Sequence, residues 1–156
     1  MYLGLGSNLG DRRAHLAAAL SQIRARARIV RVSSLYRSEP VGYTDQPEFW
    51  NAAVEIVWTA SAAALLRAVK DAERAVGRSR TFPNGPREID VDILDMRGLV
   101  RATPDPVLPH PRLSLRRFAL APLAEIAPRW RHPVTGRTAR QLLAKLPKTP
   151  GVRKIR

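Results

Sequence analysis

Two aspartates separated by one residue, Asp90 and Asp92, are the side chains of this chain best suited to bind a metal ion. They belong to the stretch GPREIDVDIL, residues 85–94, in which a turn leads into the alternating apolar residues of a strand. Alternate side chains of a strand share a face, so we expect both carboxylates on one face, about 7 Å apart along the chain. Carboxylate oxygens suit Mg²⁺, which completes its shell with water and substrate phosphates. A merely solvated acidic face is the alternative.

Arginine dominates the charge around this pair. The chain carries 27 Lys and Arg against 13 Asp and Glu, a formal net charge of +14. Such a balance predicts affinity for phosphate groups, either of a nucleic acid or of a nucleotide. Arg78, Arg80 and Arg87 precede the aspartates, and guanidinium groups clamp phosphates through bidentate contacts. A solvated basic loop is the alternative for these arginines.

Length and composition predict one globular domain over residues 1–156, with a basic tail over residues 146–156. Apolar residues make up 45% of the chain, and no stretch approaches the ~20 apolar residues of a membrane span. Cysteine is absent, so disulfides and thiolate metal sites are excluded. No signal peptide is visible at the N-terminus, and we expect a cytoplasmic protein without a membrane partner.

Apolar periodicity predicts the elements that position these residues. The order is strand–helix–strand–strand–helix–strand, with strands over 1–7, 29–36, 49–59 and the GPREIDVDIL stretch, and helices over 12–26 and between Ser61 and Gly77. This order predicts an α+β fold with a ferredoxin-like βαββαβ core, in which both helices pack on one face of an antiparallel sheet. A C-terminal extension should add helical turns over 114–126, a hairpin over 130–137 and a helix over 138–146.

Four motifs occur in order along the chain: GLGSNLG (4–10), DQPEFWN (45–51), an ExxxGRSR segment leading into GPREIDVD (73–92), and LPHPR followed by RRF (108–118). Together they resemble the 6-hydroxymethyl-7,8-dihydropterin pyrophosphokinases of folate biosynthesis, and the resemblance spans roughly residues 3 to 128. It implies transfer of the β,γ-pyrophosphoryl group of ATP to the hydroxymethyl oxygen of the pterin, with release of AMP. It also implies ATP as co-substrate and two Mg²⁺ ions.

The resemblance also implies a set of site residues, which fall into three groups. The catalytic group is Arg78, Arg80, Arg87, Asp90 and Asp92, with the two aspartates as metal ligands. The nucleotide would contact Glu73, Arg80, Arg87, Ile93, His110 and Arg116. The pterin would contact Ser38, Pro40, Val41, Gly42, Phe49, Asn51, Asp90 and Phe118, with its flat ring stacked between the two phenylalanines.

The sequence departs from the family pattern at Asn84, where some members carry an aromatic residue. Ser7 and Asn8 are interpreted as structural residues that close the first turn. Residues 77–87 carry arginines but few apolar anchors, so we expect a mobile loop that closes over the site when ATP binds.

The competing hypothesis is a basic nucleic-acid-binding module with the same ferredoxin-like topology. RNA-recognition domains read bases with aromatic residues on their central strands. The strands predicted at 1–7 and 49–59 lack that pattern, and the acidic pair would repel a phosphate backbone. We therefore expect small-molecule substrates, no nucleic-acid partner and a monomer.

Overall fold

The computed structural model describes residues 1–156 as one antiparallel sheet and four helices. The strands are β1 (Tyr2–Ser7), β2 (Arg28–Val32), β3 (Tyr36–Ser38), β4 (Phe49–Val57), β5 (Asp90–Asp95) and β6 (Val152–Lys154). The helices are α1 (Arg12–Arg24), α2 (Ala62–Val76), α3 (Arg117–Ile126) and α4 (Ala139–Lys145). The strand order is β5–β1–β4–β3–β6, with β2 also paired to β4. The α+β class and the antiparallel sheet predicted from the sequence are confirmed.

Side-chain caps fix where the first two helices begin and end. The Asp11 carboxylate accepts a hydrogen bond from the Ala14 N–H at 3.0 Å, and the Ser61 hydroxyl accepts one from the Ala64 N–H at 3.1 Å. Gly77 ends α2 in the left-handed conformation, with φ of 99°. The chain reverses at that glycine, which returns the arginine-rich segment toward β5.

Two apolar cores lie on opposite faces of the sheet. Helices α1 and α2 bury Leu16, Ile23, Leu65 and Val69 against one face, where side chains of β1, β4 and β5 meet them. Helices α3 and α4 cover part of the other face around Ala53, and form the second core. Each fully buried large apolar side chain contributes about 1.5–3 kcal/mol. None of the four helices combines the length and the apolar character that a membrane span requires.

The single strand predicted over residues 29–36 is divided into β2 and β3. The register of β2 against β4 shifts between Ile29 and Arg31. Ser33 then bonds Ala53 twice, since its N–H donates to the Ala53 carbonyl and its hydroxyl accepts from the Ala53 N–H, both at 2.9 Å. The serine hydroxyl thus takes the place of the backbone carbonyl that would accept this hydrogen bond in regular strand pairing, as short polar side chains can do. Pairing resumes at Tyr36, and β3 extends to Ser38, two residues beyond the predicted strand.

The C-terminal extension is more regular than the sequence predicts. The segment 114–126 contains one helix of ten residues, α3, rather than separate turns. The last residues of the basic tail form β6, which pairs antiparallel with β3. Lys154 of this strand faces Glu125 of α3 at 3.6 Å. This strand extends the sheet beside the cavity described next.

Candidate active site

Asp90 and Asp92 lie on the same face of β5, at the edge of the sheet, as the strand alternation predicts. Val91 between them is buried in the core beneath α2. The two carboxylates face the other side, where their side chains are 21% and 32% exposed. They border a cavity that the C-terminal helices leave uncovered. The pair is therefore accessible to a ligand but screened from bulk water.

Asp90 is surrounded by cations. Arg78 Nη1 donates to Asp90 Oδ1 at 2.7 Å, and Arg87 Nε lies 3.4 Å from Asp90 Oδ2. Burial by itself would raise the pKa of this carboxyl, but the positive charges of Arg87, Arg78 and Lys70 lower it below the usual value. Asp90 is therefore ionised at neutral pH.

The negative charge of Asp92 is less well neutralised by nearby cations than that of Asp90. Its nearest cation is Arg116, with Nη1 3.4 Å from Oδ2. Burial and the negative charge of Asp90 raise the pKa of Asp92 to about 6. The two carboxylates thus lie on one strand face, and nearby cations neutralise the charge of Asp90 better than that of Asp92. The pair offers hard oxygen ligands with a net negative charge. This donor set fits Mg²⁺, which takes one or two carboxylates and fills its shell with water and phosphate oxygens.

His110 lies beside Asp92 as a neutral imidazole. Its Nδ1 accepts a hydrogen bond from the Arg112 N–H at 3.1 Å, and its Nε2 lies 3.3 Å from Arg116 Nη1. Burial and the nearby charges of Arg116 and Arg112 lower the pKa of His110 to about 4. Nε2 is 3.9 Å from Asp92 Oδ2. At neutral pH this side chain is therefore a neutral imidazole rather than a cation.

A first cavity of about 210 Å³ opens between β4, the start of α3 and the two aspartates. Phe49 and Phe118 both line it, and each ring lies beneath a guanidinium group, that of Arg87 at 5.0 Å and that of Arg116 at 5.5 Å from the ring centre. Aromatic and polar groups on the wall of a cavity suit a flat heterocycle.

The floor of this cavity depends on Gly6, which stands opposite Asn51 in the sheet. Asn51 Nδ2 donates to Ser38 Oγ at 2.8 Å, which fixes the amide. A Cβ atom at position 6 would lie 3.3 Å from Asn51 Oδ1. Glycine therefore leaves room for the amide that the sequence assigns to the pterin edge.

A second cavity of about 200 Å³ lies on the other side of β5. Its walls combine apolar residues with Asp92 and His110, and the lining residues are Leu66, Lys70, Val91, Asp92, Ile93, Pro106, Val107, His110 and Pro111. Asp92 borders both cavities. The two cavities therefore meet at the acidic pair.

Most of the residues singled out in the sequence border one of these cavities. Those in the first cavity are Ser38, Val41, Gly42, Phe49, Asn51, Arg87, Asp90, Asp92, Arg116 and Phe118. Ile93 and His110 border the second. Pro40, Glu73, Arg78 and Arg80 border neither.

Glu73 and Arg78 instead form an ion-pair network with Asp90. The Glu73 carboxylate accepts from the Val91 N–H at 2.8 Å and from Arg78 Nη1 at 2.5 Å. Arg78 thus bridges two carboxylates, because a buried carboxylate needs a positive partner. Arg80 is exposed and forms no ion pair.

Asn8 has a wider role than closing the first turn. It is 2% exposed, and its Oδ1 accepts from the Arg87 N–H at 2.8 Å. Its Nδ2 donates to Gln46 Oε1 and to the Pro47 carbonyl, both at 2.9 Å. Asn8 therefore fastens the segment that carries Arg87 to the loop before β4. These partners are distant in sequence, so no local pattern indicates them.

The loop over residues 77–87 contacts the loop before β4 at two further points. Gln46 Nε2 donates to the Asn84 carbonyl at 2.6 Å. The rings of Tyr43 and Phe82 meet edge to face, with centroids 5.0 Å apart. Asn84, with a left-handed φ of 59°, lines the first cavity. An amide thus stands at the cavity wall where the family pattern has an aromatic residue in some members.

Comparison with protein families gives a match over residues 2–128 to the family described as 7,8-dihydro-6-hydroxymethylpterin-pyrophosphokinase (HPPK). The 2-amino-4-hydroxy-6-hydroxymethyldihydropteridine pyrophosphokinase of Methylorubrum extorquens is 45% identical over 147 residues, covering 93% of this chain and 92% of that protein. The folic acid synthesis protein FOL1 of Dictyostelium discoideum is 36% identical over 155 residues. The chain spans 24% of the length of FOL1, so it corresponds to one part of that larger protein.

Among solved structures, Plasmodium falciparum HPPK-DHPS with STZ-DHP superposes with a TM-score of 0.73 at 16% sequence identity. The match covers 92% of this chain and 42% of that chain. At this identity the likeness establishes the fold alone.

Proposed function

The chain belongs to the 7,8-dihydro-6-hydroxymethylpterin-pyrophosphokinase family, and we propose that it transfers pyrophosphate from ATP to the hydroxymethyl group of 6-hydroxymethyl-7,8-dihydropterin in folate biosynthesis. The observation that carries this proposal is the position of Asp92 on the border of two cavities. One cavity has the aromatic and amide groups that suit a pterin. The other has apolar walls and a histidine that suit a nucleotide.

In this proposal the pterin occupies the first cavity. Its ring lies against Phe49 and Phe118, and the Asn51 amide, held by Ser38, bonds its polar edge. The remaining pterin contacts come from Val41, Gly42 and the backbone near Pro40. The hydroxymethyl group then points toward Asp90 and Asp92, since they form the polar end of the cavity.

The nucleotide base occupies the second cavity beside Ile93, and the His110 imidazole contacts the phosphates. The phosphates extend past Asp92 toward Arg87 and Arg116, whose guanidinium groups already lie at the border of the first cavity. Guanidinium groups fixed before the reaction stabilise charge as it develops in the transition state. Arg80 is the one exposed arginine of the loop, and it is free to reach the phosphates when the loop closes.

Asp90 and Asp92 would hold Mg²⁺, up to two ions. When bound, the ion supplies positive charge that neutralises the phosphates and orients them. The chain contributes the two carboxylates and the cations around them. Glu73 and Arg78 keep Asp90 ionised and oriented from behind.

In the reaction, the hydroxymethyl oxygen of the pterin bonds to the β-phosphorus of ATP. The bond between that phosphorus and the α,β-bridging oxygen breaks, AMP leaves with this oxygen, and the hydroxyl proton passes to water. Phosphoryl transfer of this kind depends chiefly on alignment and charge neutralisation. The meeting of the two cavities at Asp92 would provide that alignment.

The test is release of AMP from ATP with Mg²⁺, measured with and without 6-hydroxymethyl-7,8-dihydropterin. We expect AMP only when the pterin is present, together with one pterin pyrophosphate per AMP. ADP as product, or AMP release independent of the pterin, would contradict the proposal. A nucleic-acid-binding module is not favoured, because a cavity with an acidic end repels a phosphate backbone that carries no metal.

A further inference from the structure

The second cavity has an unusual charge balance for a nucleotide site. Its ionisable lining residues are Lys70, Asp92 and His110. Asp92 is a carboxyl group and His110 an imidazole, so neither supplies a permanent positive charge. The arginines nearest the acidic pair, Arg78, Arg87 and Arg116, are not among its lining residues. Lys70 is therefore the only permanent cation on the wall of the second cavity.

Lys70 lies on α2, one turn before Glu73, and its ammonium group is 3.1 Å from Glu73 Oε2. Its side chain is 44% exposed, so the ammonium group can reach the cavity without leaving a buried position. Lys70 lines the second cavity together with Asp92, which also borders the first cavity. Lys70 thus acts on the region where the two cavities meet.

A purely structural role as the partner of Glu73 does not account for Lys70. Glu73 Oε1 already accepts from Arg78 Nη1 and from the Val91 N–H. The buried Glu73 carboxylate therefore keeps two partners when Lys70, whose side chain is 44% exposed, moves away. The ammonium group is accordingly held loosely at the cavity wall and is available to a stronger anion, such as a phosphate group with two negative oxygens.

We propose that Lys70 is a nucleotide-binding residue of this chain, whose ammonium group moves from Glu73 to a phosphate group of ATP. This inference rests on the proposed function, since it takes the second cavity as the nucleotide site. Lys70 distinguishes nucleotides by their phosphates and not by their base. Without it, the lining of the second cavity itself would offer a polyphosphate no permanent positive charge, and Arg116 beyond Asp92 would be the next cation.

The test is calorimetric binding of α,β-methylene-ATP and of adenosine, both with Mg²⁺, to the wild type and to Lys70→Gln. Loss of a charge-assisted hydrogen bond predicts an affinity for α,β-methylene-ATP that is weaker by roughly 10-fold or more. The affinity for adenosine should stay within about 2-fold, because adenosine has no phosphate. Lys70→Arg should restore most of the binding. Arg67→Gln is the matched control, because it removes one charge from an exposed position of α2 that borders neither cavity.

Equal binding of α,β-methylene-ATP by Lys70→Gln and the wild type would overturn the assignment. So would an equal loss for adenosine, which would mean that Lys70 only shapes the cavity through Glu73. Both results leave the pyrophosphokinase reaction intact. Conversely, failure of the wild type to release AMP in the presence of the pterin would refute the proposed function, while a selective loss of α,β-methylene-ATP binding would still support Lys70.

Discussion

Arg78 Nη1 donates to Asp90 Oδ1 at 2.7 Å, and the same nitrogen lies 2.5 Å from Glu73 Oε1. This bridge ties the C-terminal turn of α2 to the strand face that carries the two aspartates. It also makes the two aspartates unequal, because Asp92 has only the longer contact to Arg116. The predictions that follow begin from this inequality.

We expect Asp90→Asn and Asp92→Asn each to lower the rate of AMP release by at least ~10³, because each removes charge that is fixed in place for the transition state. The measurement is steady-state kinetics at saturating ATP, pterin and Mg²⁺. Circular dichroism of both variants controls for folding. Turnover near the wild-type rate in either variant would contradict the assignment of the pair as metal ligands.

The two substitutions should differ in their effect on stability. Asp90→Asn leaves Arg78 and Arg87 without their shared carboxylate, so we expect the free energy of unfolding to fall by about 1–3 kcal/mol. Asp92→Asn removes a partly buried charge that Asp90 repels, and we expect the metal-free protein to gain about 1 kcal/mol at pH 7.5. That figure allows for partial exposure of the side chain.

The gain from Asp92→Asn should depend on pH. Folding raises the pKa of Asp92 to about 6, so the folded protein takes up a proton more readily than the unfolded chain does. The contribution of this protonated carboxyl to the free energy of unfolding is fully present below the ordinary carboxyl pKa. It is lost as the pH rises through 6, where the folded protein releases the proton. The difference between variant and wild type should therefore shrink toward pH 4. Urea unfolding with EDTA across this range checks it, and a gain independent of pH would rule out this cause.

Limited digestion with trypsin should separate two arginines of one loop. Arg80 is exposed and without an ion pair, whereas the side chain of Arg78 is 25% exposed and bound to two carboxylates. We expect cleavage after Arg80 to be several-fold faster than after Arg78 in the ligand-free protein, as read from early fragments by mass spectrometry. Pterin, α,β-methylene-ATP and Mg²⁺ should slow cleavage at Arg80 if the loop closes. Similar rates at both arginines would mean that the Arg78 bridge does not persist in solution.

Alanine in place of Phe49 or Phe118 should weaken pterin binding by about 1–3 kcal/mol, the range for an aromatic ring stacked on a flat heterocycle. Binding of α,β-methylene-ATP should change much less, because both rings line the first cavity and neither lines the second. Calorimetry with each ligand measures the difference. Equal losses for the two ligands would mean that the phenylalanines serve only as core.

Asn8→Ala should weaken the site although Asn8 borders neither cavity. The substitution removes three hydrogen bonds that join the Arg87 segment to Gln46 and Pro47. Loss of the part-buried bond from the Arg87 N–H alone costs about 1 kcal/mol of stability. We expect a lower kcat and a lower melting temperature together, and Asn8→Asp, which keeps the acceptor, should recover part of the stability. Unchanged kinetics in Asn8→Ala would show that the link does not position Arg87.

Local patterns in the sequence determine most of the framework. Apolar periodicity defines the helices, Asp11 and Ser61 define their starts, and Gly77 defines the end of α2, since caps depend only on neighbouring residues. Strand alternation places Asp90 and Asp92 on one face for the same reason. The ordered motifs indicate the family, which the comparisons confirm.

The tertiary structure alone decides which charges meet. Glu73 and Arg78 support Asp90, Lys70 faces the second cavity, and Asn8 joins segments 38 and 79 residues away. Such contacts depend on how separate elements pack, and burial then sets the pKa of each group. The pairing of the basic tail as β6 has the same cause, because only the folded sheet presents the free edge of β3.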